Sequence, residues 1–368
     1  MRPTQVPRLR GSAVLIRRPL RISRPEPSLR LFKKSGVRPL THSLAVCATT
    51  LAVAGALLSG VEKAGAATLY WDADGNDGNN VLSPVAGLGG AGIWDTTSSL
   101  WWTGSALQPW SNAALDTAVF TGTAGAVSLG SGISVGGLRF DTTGYTITGA
   151  SALTIEPAVS TDGITVQVGA SGTVGITAPI VLGADQTWTV ADTGAVLSVS
   201  GGVGGVGRSL TKLGNGVLEL GGTNSYTGQT AVNGGILRAG AANALAGGSA
   251  LVLGAAGTVQ LNGFSNAVPS LAGVAGGVVE NGHASTAATL TVGSGNQDTT
   301  FGGTLRNGGT GTLGLTKVGT GRLILSGVSS QLSGNVTVSG GILESTGTFA
   351  NGTLTTGVGN STIGGTAR

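Results

Sequence analysis

Residues 210–237 read LTKLGNGVLELGGTNSYTGQTAVNGGIL, and residues 315–343 read LTKVGTGRLILSGVSSQLSGNVTVSGGIL. The two stretches align with one insertion near Gln331, and half of the positions in the shorter copy are identical. Self-similarity of this kind is the sequence signature of a repeat architecture. The copies start 105 residues apart, so we expect one structural unit to be used twice along the chain.

Leucines alternate with variable residues in each copy. Leu218 and Leu220 recur as Leu323 and Leu325, whereas the residue between them changes from Glu to Ile. An apolar period of two predicts a strand with one buried face. Glycines flank these strands, and glycine permits turns with positive φ. Each copy therefore predicts the order strand, glycine turn, strand, glycine turn, strand.

The chain as a whole has a similar composition, with 68 Gly, 10% charged residues and 40% hydrophobic residues. Short Val, Leu, Ile and Thr runs broken by glycine occur at 126–140, 145–156, 249–263 and 288–295. A disordered chain is poor in such runs, and a two-sheet domain of ~300 residues would be very large. We therefore predict an all-β fold, a right-handed parallel β-helix (β-solenoid) of the pectin-lyase-like type. Roughly 20 residues per coil would give about 15 coils.

The first 66 residues differ from the remainder in charge and hydropathy. They hold 12 of the 20 Lys and Arg residues and 2 of the 16 acidic ones, so the chain after Ala66 carries a net charge of −6. A basic stretch, an apolar run from Leu44 to Leu58 and the sequence Ala64-Gly65-Ala66 follow one another. This order is typical of a secretory signal peptide cleaved near Ala66. The basic balance of the whole chain thus gives no indication of nucleic-acid binding.

Three alternatives for the leader stay open. A membrane anchor needs about 20 apolar residues, and the run has 15. Lipidation of Cys47 is disfavoured, because Cys47 lies near the start of the apolar run and Val46 precedes it where a small residue is expected. A start codon placed too early would explain the long basic stretch. Cleavage near Ala66 leaves no cysteine, and so no disulfide.

We divide the chain into three parts: the signal peptide with an extended basic region (1–66), a Trp-rich N-terminal capping segment (67–125) and a β-helix passenger (126–368). The five Trp residues of the second part lie within 40 residues of one another, at positions 71, 94, 101, 102 and 110. Solenoids require capped ends, which favours burial of these rings at the end of the core. Stacking on sugar rings is the alternative.

The two copies resemble the autotransporter-associated β-strand repeat, or passenger-associated transport repeat. The residues that carry the resemblance are Leu210, Lys212, Gly214, Gly216, Leu218, Leu220, Gly222, Tyr226-Thr227-Gly228, Val232, Gly235 and Leu237. The second copy departs from the pattern at the Tyr, where it has Leu332-Ser333-Gly334. The Trp-rich part also looks like the start of such passengers, with Trp71-Asp72, Gly92–Asp95 and Asp116–Phe120.

The resemblance implies a secreted, cell-surface or outer-membrane protein of a Gram-negative bacterium, carried outward by an outer-membrane β-barrel translocator. Only 25 residues follow the second copy, and a barrel needs at least eight strands of about ten residues. We therefore expect the barrel to be absent from this chain, whether the chain is a fragment, a stand-alone secreted relative or a protein anchored by another route. A host surface, the matrix or a glycan is the expected partner.

We predict no catalytic, cofactor-binding or metal-binding residue. Calcium at Asp72–Asn80 is weighed against a polar turn, and the turn is favoured because Gly and Glu are missing from the sixth and twelfth positions of a helix-loop-helix calcium site. His283 is the only His after the leader and has no nucleophile motif beside it. Lys212 and Lys317 recur beside glycine, and we interpret them as structural or solvated.

The predicted function is accordingly a non-enzymatic stalk, adhesin-like scaffold or export-assisting segment. The alternative is a glycan-binding or glycan-cleaving β-helix. Cleavage needs two or three converging acids, whereas the acids here are scattered: Asp141, Glu156, Asp162, Asp185, Asp192, Glu219, Glu280, Asp298 and Glu344. The glycine run 201–207 is not followed by the Lys and Ser or Thr of a phosphate loop.

Overall fold

The computed structural model describes residues 66–159, 163–329 and 332–347, together with the backbone of the strands Leu354–Thr356 and Thr362–Gly365. The described residues form a parallel β-solenoid of about 10 turns, which confirms the all-β solenoid prediction. Their only helical segment is a single 3-10 turn, Asp77–Asn79. The signal peptide assigned to residues 1–66 lies outside the described residues apart from its last one.

The strands of successive coils form three faces, and they stack in parallel along each face. The first face consists of Thr68–Trp71, Thr117–Phe120, Gly137–Phe140, Ile164–Val166, Gln186–Val190, Leu210–Leu213, the first part of Thr230–Ala239, the first part of Leu251–Gln260, Leu271–Gly273, Thr299–Phe301, Arg322–Leu325, Ile342–Ser345 and Thr362–Gly365.

The second face shares two long strands with the first face, Thr230–Ala239 and Leu251–Gln260, and each continues from one face to the next. It consists of Gly92–Trp94, Ala126–Leu129, Thr146–Thr148, Gly172–Ile176, Ala195–Val199, Val217–Leu220, the later parts of Thr230–Ala239 and Leu251–Gln260, Val278–Glu280 and Thr304–Arg306.

The third face has two runs of strands. They are Ile133–Val135, Leu153–Ile155, Ile180–Leu182 and Val203–Gly204, and then Asn266–Val268, Ala288–Val292, Leu313–Lys317, Val336–Val338 and Leu354–Thr356. Two buried asparagine side chains connect the runs. Asn224 accepts from the Val203 N–H and donates to the Ala244 carbonyl, and Asn266 accepts from the Leu245 N–H. These amides replace ladder bonds where the strand pairing is interrupted.

After Thr117, successive coils are offset by 18 to 29 residues, from Val336 paired with Leu354 to Thr146 paired with Gly175. The longer coils carry extra residues in their turns, and residues before Thr117 form an irregular end. For both reasons the coils are fewer than the roughly 15 that a uniform 20-residue coil predicts.

The interior is filled by one continuous apolar cluster. Leu218 and Leu220 are fully buried, whereas Glu219 between them is half-buried. Leu323 and Leu325 are buried in the same way on either side of Ile324. The period-two pattern of the sequence therefore gives the inward and outward sides of the strands correctly.

The N-terminal end of the stack is closed by short antiparallel strands. Trp101–Trp102 pairs with Thr68–Trp71 on one side and with Leu107–Gln108 on the other. On the third face, Asn112 both donates to the Gly132 carbonyl and accepts from the Ser134 N–H, so its amide mimics a neighbouring strand. Short edge strands and covered edges prevent strand pairing between molecules. The two remaining short strands, Val81–Leu82 and Val85–Ala86, form a hairpin.

Candidate functional site: the lysine corners

Lys212 is buried inside the solenoid, with 1% of its surface exposed. The strand Leu210–Leu213 points Leu210 and Lys212 inward, and Lys212 lies in register between Trp188 of the preceding coil and Val232 of the next. Its ammonium donates to three backbone carbonyl oxygens, of Leu213 at 2.7 Å, Gly214 at 3.0 Å and Gly234 at 3.2 Å. All three N–H donors are therefore satisfied.

Lys317 has an equivalent environment in the second copy, again with 1% exposure. Its ammonium donates to the carbonyl oxygens of Val318 at 2.6 Å, Gly319 at 3.2 Å and Gly340 at 3.3 Å. The three acceptors occupy the same positions of the repeat as those of Lys212. We call these two arrangements the lysine corners. Of the two interpretations of these lysines, the structural one is right, and the solvated one is wrong.

Glycine builds the corner at two positions. Gly214 has φ +77° and Gly235 has φ +63°, and both lie in the left-handed region. A Cβ on Gly235 would stand 2.4 Å from the carbonyl oxygens of Gly214 and Gly216. Because Gly235 has no side chain, the two coils can approach closely there. Carbonyl oxygens of both coils can then accept from the same Lys212 ammonium.

Burial lowers the pKa of Lys212 to about 8 and also lowers that of Lys317. The cause is desolvation, which disfavours the charged form. Three carbonyl oxygens oppose this effect, since hydrogen bonds to an ammonium favour the ammonium. Lys212 is therefore charged at neutral pH.

The two lysine corners lie on different faces of the solenoid. Lys212 belongs to the first face through the strand Leu210–Leu213, whereas Lys317 belongs to the third face through Leu313–Lys317. The three carbonyl acceptors of each lysine nevertheless occupy the same positions of the repeat. The repeat therefore specifies a local unit of two stacked coils. This unit can begin on different faces of the solenoid.

Tyr226, the residue at which the second copy departs from the family pattern, is fully buried. Its hydroxyl is 2.8 Å from the Thr230 hydroxyl, which is 2.7 Å from that of Ser249 in the next coil. In the second copy, Leu332 and Val336 occupy the positions of Tyr226 and Thr230, and both are buried. The polar pair of one copy is therefore exchanged as a unit for an apolar pair in the other.

This exchange predicts strong coupling between positions 226 and 230. Thr230→Val alone leaves the buried Tyr226 hydroxyl without its partner and should cost about 2 kcal/mol. Tyr226→Leu combined with Thr230→Val reproduces the second copy and should cost less than the sum of the single changes, by about 1 kcal/mol. A double-mutant cycle from denaturant unfolding measures the coupling, and additive costs would contradict it.

A polar ladder runs up the outside of the second face. Glu219 accepts from Ser198 in the preceding coil and lies 3.7 Å from the Arg238 guanidinium in the next. The Arg238 Nε–H donates to the Gln260 side-chain Oε1 at 2.9 Å, and the Gln260 side-chain Nε2 donates to the Glu280 carboxylate at 2.9 Å. Arg306 then pairs with Glu280 at 2.7 Å. Glu219 and Glu280 thus have partners in the adjacent coils.

The five N-terminal Trp residues are buried, four of them with at most 2% exposure and Trp102 with 7%. Trp101 lies at the centre of the cluster, with ring centroids 4.8 Å from Trp94, 4.7 Å from Trp110 and 5.3 Å from Trp71. The rings therefore pack against one another and against Phe120, and they leave little ring surface for stacking on sugars.

The Asp72–Asn80 loop is held by hydrogen bonds from its own donors. Asp72 is buried and accepts from the Asn80 side chain at 2.7 Å and from the Gly75 N–H at 3.2 Å. Burial and the adjacent Asp74 raise the pKa of Asp72. Asp74 accepts from the Asn76 N–H and the Asn79 side chain. Across the described residues, no group of three or more His, Cys, Asp or Glu side chains is arranged to hold a metal ion.

His283 lies in a partly exposed loop, where its Nδ1 accepts from the N–H groups of Ser285 and Thr286. Most of the scattered acids tie one coil to another. The Asp185 side chain accepts from the Ser209 N–H and Asp298 from the Arg322 N–H, while Asp162 lies outside the described residues. A cavity of about 390 Å³ opens beside Asp74, and it is lined by Ala73, Asp74, residues 87–91 and Thr123.

Nothing among the described residues is a helix long and apolar enough to span a membrane. The family model of the passenger-associated-transport repeat matches residues 210–239 and 315–344, the two units that contain the lysine corners. The curated protein "Adhesin BmaC autotransporter" of Brucella suis biovar 1 (strain 1330) is 33% identical over 174 residues. No solved structure is significantly similar.

The aligned region covers 46% of this chain and 4% of the adhesin, so the chain spans a small part of the relative that it matches. The family match falls on the repeats that the sequence singled out, and it confirms their resemblance. The chain therefore contains two passenger-associated-transport repeats, and part of it is similar to an autotransporter adhesin.

Proposed function

We propose that the chain is a non-enzymatic passenger segment that serves as a stalk or adhesin-like scaffold on the cell surface. The observation that carries the proposal is the continuous apolar core, which runs through the described coils and is closed at its N-terminal end by the Trp cluster. Coils that share one core and one set of ladders make a rigid support. The similarity to an autotransporter adhesin supports the same role.

The proposal also includes the handedness of the solenoid, the signal peptide and the division of the chain into three parts. We propose a right-handed solenoid of the pectin-lyase-like type. The right-handedness is supported by the rule that crossovers between parallel strands of one sheet are right-handed in nearly all proteins. Residues 1–66 are a signal peptide cleaved near Ala66, residues 67–125 cap the solenoid, and residues 126–368 form the passenger. The leader's basic, apolar and small-residue order supports the first of these assignments.

The proposed location is the surface or outer membrane of a Gram-negative bacterium, reached with the help of an outer-membrane β-barrel translocator. The proposed partner is a host surface, matrix or glycan ligand. The relative's description as an autotransporter adhesin supports both.

Cell fractionation with surface proteolysis tests the location. We expect the chain in the outer-membrane or secreted fraction, with a new N-terminus near Ala67 identified by mass spectrometry. External protease should remove it from intact cells, whereas a cytoplasmic control protein should survive. An intact N-terminus together with a cytoplasmic location would overturn the proposal.

A further inference from the structure

Each lysine corner joins two successive coils. Lys212 donates to Gly214 in its own coil and to Gly234, 22 residues later, in the next coil. Lys317 reaches Gly340 over 23 residues in the same way. The ammonium is fully hydrogen-bonded only after the second coil has stacked on the first. A single unstacked coil would leave one of its donors without this acceptor.

The shared Lys and Leu side chains of the repeat lie inside the solenoid and therefore do not form a recognition surface. Lys212, Lys317, Leu218 and Leu323 are each at most 1% exposed. The two units also start on different faces, the first and the third. One partner could not contact both copies through equivalent positions. The reason for the repetition is therefore internal to the fold.

We propose that each lysine corner is a nucleus for coil stacking, from which the neighbouring coils are added in turn. In a solenoid, stability is approximately a sum of coil terms and nearest-neighbour terms, and folding can nucleate at any coil and propagate from it. We infer that it nucleates where the neighbour term is largest. The lysine adds hydrogen bonds to that term at two places along the chain. The loop that must close is 22 or 23 residues long, so the contacts are local and form early.

The order of folding is a property of the purified chain, so this inference goes beyond the proposed function and does not depend on it. The residues that follow each corner support a spreading mechanism. Gly216 approaches the Asp192 carbonyl of the preceding coil so closely that a Cβ would stand 2.4 Å from it, and Gly321 approaches Gln297 in the same way. Each unit therefore fits closely against the coil before it and offers an edge to the coil after it.

Pulse-labelled hydrogen exchange during refolding of the full chain tests the order. After dilution from denaturant, amides in 210–239 and 313–345 should be protected before those in 133–166, which belong to coils without a buried lysine. Mass spectrometry of peptides locates the protection. Simultaneous protection along the chain, or earlier protection of 133–166, would overturn the proposal.

The double variant Lys212→Met/Lys317→Met separates a nucleus from a merely stabilising contact. We expect refolding to slow by at least tenfold and the early protection to disappear, because loss of a nucleus acts on the folding rate. Arg208→Met is the matched control, since it removes an exposed cation from the same region and should leave refolding unchanged. A double variant that refolds at the wild-type rate and only unfolds faster would refute the nucleus. If the variant does not fold, the labelling order in the wild-type chain decides alone.

Discussion

Replacing Lys212 by Met is expected to lower the opening free energy of the coils around it by about 2 to 3 kcal/mol. Met fills the space of the lysine stem but donates no hydrogen bond, so three carbonyl oxygens lose their donor, each at a cost of about 1 kcal/mol or more. Met also removes the free-energy cost of burying a charged ammonium away from water, and this gain offsets part of the loss. Native-state hydrogen exchange of amides in 210–239 measures the change. Lys317→Met should have the same effect on 313–345.

The control is the pH dependence of the opening free energy, measured at the same amides. The folded pKa of Lys212 is about 8, below the 10.5 usual for lysine. Between these values the unfolded chain binds more protons than the folded chain, so stability rises with pH across this window and is flat below it. Lys212→Met should abolish its part of the rise, and a variant profile parallel to the wild-type profile would contradict the assigned role.

Much of the solenoid could be predicted from the repeats. The inward leucines, the glycine turns and the all-β class follow from an apolar period of two and from the conformations that glycine allows. Leu218 and Leu220 lie where that pattern places them. These features depend on residues near one another in the chain, and local signals are the ones that a single sequence carries.

The role of the lysines was harder to predict because Lys is rarely buried without an anionic partner. What compensates Lys212 is backbone, and backbone carbonyls have no sequence signal. The recurring Lys-x-Gly-x-Gly was the available clue. A repeated lysine next to repeated left-handed glycines indicates a fixed environment, whereas a solvated lysine has no reason to recur.

The change of face and the polar ladder could not be predicted at all. The face of each unit depends on the lengths of the intervening coils, such as the 28-residue offset between Gly273 and Phe301. The pairing of Glu280 with Arg306 spans 26 residues and requires the register of both coils. Neither follows from composition or periodicity, because both depend on long-range stacking.

Trp101→Ala should destabilise the N-terminal end by about 3 to 5 kcal/mol, the range for deleting a buried aromatic side chain. Trp101 is 1% exposed and contacts Trp71, Trp94 and Trp110. Its removal opens a cavity where Trp101–Trp102 covers the edge of Thr68–Trp71. Early loss of protection in 68–120 and self-association in size-exclusion chromatography are the expected results, since a freed strand edge pairs with other molecules.

Two neighbouring substitutions distinguish this role from a general effect of losing a ring. Trp101→Phe keeps an aromatic ring and removes the Trp101 Nε1–H, a buried donor that has no partner, so it should cost less than about 1.5 kcal/mol. Trp102→Ala removes a ring that is more exposed, 7% against 1%, and that packs on Tyr70 at 6.0 Å, so it should cost less than Trp101→Ala and leave the chain monomeric. If Trp101→Ala and Trp102→Ala lowered the stability equally, the Trp cluster would stabilise the protein only through the apolar area that it buries. A larger effect at Trp101, accompanied by association, would instead show that the cluster holds the end of the solenoid closed.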